Sequence, residues 1–110
     1  MMDIIKTAKM IELAIERLGD EGKKLEGLTQ ATALASSEYD KAIGLRIAKL
    51  KGDGTPTTIV EKLAKGDCAD LLYMKILAEG QLKACYSNID RIKAQLNGYQ
   101  SINKHLDTVH

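Results

Sequence analysis

The chain has no Trp and no Phe, one Pro and only two Cys in 110 residues. Without large aromatic rings beyond four Tyr, a core of this size must be filled by Leu, Ile and Ala. That inventory suits helices packed side by side. With a single proline, Pro56, almost nothing in the chain forbids long helices. No run approaches the roughly 20 apolar residues that a membrane span requires. The start, Met1-Met2-Asp3-Ile4-Ile5-Lys6, has no basic region leading into an apolar core, so no secretory signal is expected. Sixteen basic residues against fifteen acidic ones leave no global field that would draw the chain to DNA or acidic lipid. Two cysteines do not make a disulfide framework. Cys68 and Cys85 fall in one expected helix, about 25 Å apart at 1.5 Å per residue, so they cannot bridge. A reducing, cytoplasmic setting follows.

What is present is a pair of helical stripes. The first runs through Ile4, Ala8, Ile11, Ile15, Leu18, Gly22, Leu25, Leu28, Thr32, Ala35, Tyr39, Ile43, Ile47 and Leu50. Every step is three or four residues, the seam of a bundle helix or coiled coil. Gly19, Gly22, Gly27 and Gly44 weaken it, and Gly19–Gly22 is the candidate kink. The spacing runs through that point, so continuity is expected. The second stripe runs through Leu71, Lys75, Ala78, Leu82, Cys85, Ile89, Ile92, Leu96, Tyr99, Ile102 and Leu106.

Between them lies Lys51-Gly52-Asp53-Gly54-Thr55-Pro56. Gly52 is the expected left-handed cap of the first helix. Thr55 is the expected N-cap of a short helix with Pro56 in its first turn, and Asp67 the expected N-cap of the last helix. The result is an all-α, single-domain reading over residues 1–110: a long antiparallel helical hairpin with a short helix at the tip. Its helix spans are about 3–51 and about 67–107, with the turn and short helix about 52–66.

Ile11, Leu18, Leu25, Leu82, Ile89 and Leu96 are the expected seam residues. Two antiparallel helices bury one stripe each, which is little for so short a chain. Ile5, Met10, Leu13, Ala14, Leu72 and Ile76 widen the stripes beyond what one partner helix covers. Leu71–Leu77 holds six apolar residues of seven; Ile59, Val60 and Leu63 of the short helix are expected to cover one side. The remainder, Leu72, Tyr73, Ile76 and Leu77, is the expected association patch. A homo-oligomer, a dimer or higher, forming a helical bundle is the simplest way to cover it, and a different protein is the alternative partner.

No chemistry of catalysis emerges. Cys68 and Cys85 form no close pair, and His105 and His110 sit five apart, so neither a zinc site nor any other cofactor is expected. Cys68 has no histidine near it in the hairpin to act as base. Gly52-Asp53-Gly54-Thr55 lacks the lysine of a phosphate loop. Asp67 with Asp70, and Asp20 with Glu21, are acids of helix starts and solvated faces. The reading is therefore non-enzymatic. Basic residues do gather near the tip. Arg46, Lys49, Lys51, Lys62 and Lys65 are the candidate nucleic-acid contacts, with Lys41 beside them and Arg91, Lys93, Lys104 and Tyr99 on the last helix. Acids are interleaved throughout, which favours ordinary solvated faces.

Three segments carry a resemblance: Glu61-Lys62-Leu63-Ala64-Lys65-Gly66-Asp67, Leu77-Ala78-Glu79-Gly80-Gln81-Leu82-Lys83-Ala84-Cys85 and Leu96-Asn97-Gly98-Tyr99-Gln100-Ser101-Ile102. They resemble small helical proteins of phages and prophages of Gram-positive bacteria, encoded with early replication and recombination genes. That likeness implies an intracellular interaction or scaffold role, accessory to DNA replication or recombination. The alternative it implies is an inhibitor that sequesters a host enzyme or defence protein; a weak nucleic-acid binder comes third. Tyr86-Ser87-Asn88-Ile89-Asp90 also fits the Tyr-x-x-x-Asp signal of secreted helical hairpins. It lies mid-helix, and the Trp-x-Gly turn of that group is absent.

Overall fold

The computed structural model describes residues 3–109. Among them the secondary structure is three helices: α1 (Ile4–Gly52), α2 (Thr57–Asp67) and α3 (Ala69–Val109). α1 is one unbroken helix of 49 residues, passing Gly19 and Gly22 without interruption. The chain divides into two compact units. One joins α1 through Gly27 to α3 from Lys83 onward; the other is Leu28–Leu82. Within each, α1 lies antiparallel against α3, so the fold is a helical hairpin.

In the first unit the inward positions of α1 are Thr7, Ile11, Ala14, Leu18, Glu21 and Leu25. Those of α3 are Cys85, Ile89, Ile92, Leu96, Tyr99, Asn103 and Leu106. Steps of three and four alternate strictly, the a and d positions of a heptad. The stripe expected from hydrophobicity was out of phase here. Ala14 is 2% exposed and Ile15 is 55% exposed; Thr7 and Glu21 point inward where Ala8 and Gly22 were expected. On α3, Asn103 takes the inward place and Ile102 is exposed. Thr7 and Ala14, both small, take two of the d positions and are almost wholly buried there.

In the second unit α1 turns Leu28, Thr32, Ala35 and Tyr39 inward, and α3 turns Leu71, Lys75, Ala78 and Leu82 inward, with Cys68 buried just before it. Thr32 Oγ1 is shared between the carbonyls of Leu28 at 2.7 Å and Ala78 at 3.2 Å, the second lying on the facing helix. α2 docks through Val60 and Ala64, both buried with Leu50 and packed by Ile43 and Ile47. Ile59 and Leu63 of the same helix remain partly open, at 42% and 43% exposure.

The turn chemistry also differs from expectation in detail. The left-handed residue is Gly54, at φ +80°, and not Gly52, which completes α1. Gly54 N–H donates to Lys51 O and Thr55 N–H to Leu50 O, the two bonds of a Schellman ending. Such an ending places the left-handed residue two positions later than a cap at Gly52. Pro56 then occupies the N-cap of α2 in place of Thr55, with no side-chain capping bond. Asp67 closes α2 and does not cap α3; its carboxylate accepts from Arg46 Nε at 2.5 Å.

Candidate functional site

The segment Leu71–Leu77 is inverted relative to an ordinary amphipathic helix. Its one charged residue, Lys75, sits on the seam, half-buried, with Nζ 5.2 Å from the Tyr39 ring centroid. Tyr73, Met74, Ile76 and Leu77 are exposed, Tyr73 at 65% and Ile76 at 58%. A free rotation of α3 would correct this locally. It is prevented because Leu71, Ala78 and Leu82 share the seam phase with Lys75. The lysine is accommodated by its aliphatic stem and by the Tyr39 ring face. The outward apolar side chains have no such compensation within the second unit. Of the patch read from sequence, Tyr73, Ile76 and Leu77 are exposed, and Leu72 is half-buried.

A second feature lies in the first unit. A cleft of about 400 Å³ is lined by Arg17, Asp20, Glu21, Lys24, Asn88, Arg91, Ile92 and Gln95. Lys24 Nζ lies 3.3 Å from Glu21 Oε1, and Arg91 Nη2 donates to Asn88 Oδ1 at 3.2 Å. Behind Glu21, the single thiol donor of the buried Cys85 is shared between Glu21 Oε2 and the Glu21 carbonyl, both at 3.4 Å. The thiol bond, then Lys24, holds the Glu21 carboxyl below its usual range. Burial, then Glu21, pushes the Cys85 thiol up. This is the reverse of an activated nucleophile, which needs a lowered thiol pKa. Three cations beside two acids give the cleft at most a weak preference for an anion. Sequence reasoning did not join Arg17 and Lys24 to Arg91; their seven-residue spacing on α1, opposite α3, was the available signal.

Arg46 is held by Asp67. Lys49, Lys51, Lys62 and Lys65 are exposed and flanked by Asp53 and Glu61. Tyr99 lies on the seam, half-buried. Cys68 is buried where α2 gives way to α3. His105 is exposed, and His110 lies outside the described residues. Among the described residues, no group of three or more His, Cys, Asp or Glu side chains could hold a metal ion. None of their helices is long and apolar enough to cross a membrane.

Comparison of the chain with protein-family models, with curated proteins and with solved structures gives no match.

Proposed function

We propose that this is a non-enzymatic interaction or scaffold protein that works through self-association of its helix faces. The observation that carries the reading is the inverted segment of α3, with Lys75 turned in and Tyr73, Met74, Ile76 and Leu77 turned out. Apolar side chains held out by the phase of the seam are what a helix offers to another helix. Support for a non-catalytic role comes from the cleft, where Glu21 and Cys85 are engaged with each other. The cellular setting, a bacterial cytoplasm and an accessory role in phage or prophage DNA replication or recombination, rests on the sequence resemblance alone.

Light scattering at several concentrations tests the reading. A mass of two or more chains supports it. A monomer at every concentration overturns self-association and leaves a different protein, such as a sequestered host enzyme, as the partner to seek. Nucleic-acid binding through the tip lysines has its own signature, an affinity that falls steeply between low and moderate salt.

A further inference from the structure

We draw no further inference here: the strongest candidate, the outward apolar face of α3 formed by Tyr73, Met74, Ile76 and Leu77, is exposed in this chain, and nothing in the structure shows what covers it.

Discussion

The Sγ of Cys85 on α3 donates to Glu21 Oε2 on α1 at 3.4 Å, joining a buried thiol to a carboxylate at two d positions of the seam. The pair has opposite preferences. Glu21 is held below its ordinary range, chiefly by the thiol bond. Cys85 is held above its own, chiefly by burial.

Stability should therefore fall at both ends of the pH scale through this pair. A carboxyl with a lowered folded pKa contributes above its unfolded value of 4.5, and the contribution is lost as pH falls through the folded value. A thiol with a raised folded pKa contributes below its unfolded value of 9.0, and the contribution is lost as pH rises through the folded value. Cys85→Ala should flatten the alkaline limb and soften the acid limb of a melting-temperature profile. Unchanged limbs would mean that the pair does not couple to folding.

Asn103→Leu should stabilise the protein. Asn103 sits on the inward side of α3, and its buried Oδ1 has no hydrogen-bond partner among the described residues. Leaving such an atom unsatisfied costs about 1–3 kcal/mol. A leucine removes that cost and fills the seam. Denaturant melts at fixed slope should show the gain, and a loss would place a water or another partner on the amide.

The helical hairpin was legible because the two stripes and the single Gly-Pro break leave few alternatives. On α3 the stripe failed only at Ile102 against Asn103, where a step of three and a step of four are both permitted and hydrophobicity chose the wrong one. On α1 it failed at Thr7, Ala14 and Glu21 for the same reason: the more apolar neighbour, or the uncharged one beside Glu21, was taken over the residue in phase. The stripe through Gly22, Leu25 and Leu28 contains two successive steps of three, whereas Glu21, Leu25 and Leu28 keep strict alternation. That irregularity was the readable signal. The Glu21–Cys85 bond and the cleft beside it depend on this phase, so they were invisible to a stripe drawn through Gly22.

Val60→Asp should detach α2 without unfolding the hairpin. Val60 is 2% exposed, in a cluster with Leu50 and Ala64. A carboxylate there would sit among Leu50, Ala64, Ile43 and Ile47, and an uncompensated buried charge costs about 3–5 kcal/mol. Far-ultraviolet circular dichroism should lose the share of 11 helical residues while α1 and α3, with 49 and 41, remain. Loss of all helical signal would show that the seam alone cannot hold α1 and α3 together.

Lys75→Leu should raise stability by about 0.4 kcal/mol, which is about 2–3 °C in melting temperature for a domain near this size. The lysine occupies a seam position where Leu is the better filler, and burying a full Leu side chain contributes about 1.5–3 kcal/mol. Against that stands the loss of the ammonium over Tyr39, about 0.5–1 kcal/mol at a partly exposed site. Half of the leucine contribution at this half-buried position, less the lost cation–ring contact, leaves about 0.4 kcal/mol. A lysine kept in place of a better filler then has its explanation in register, because a lone polar residue at an a position disfavours shifted pairings of the two helices. Melting curves of Lys75→Leu would measure the gain. Its hydrogen-exchange pattern would reveal slipped registers as lowered protection around Tyr39 and Ala78, despite the higher melting temperature. A fall in melting temperature would mean that the Tyr39 contact outweighs apolar filling, and that Lys75 holds the seam by attraction.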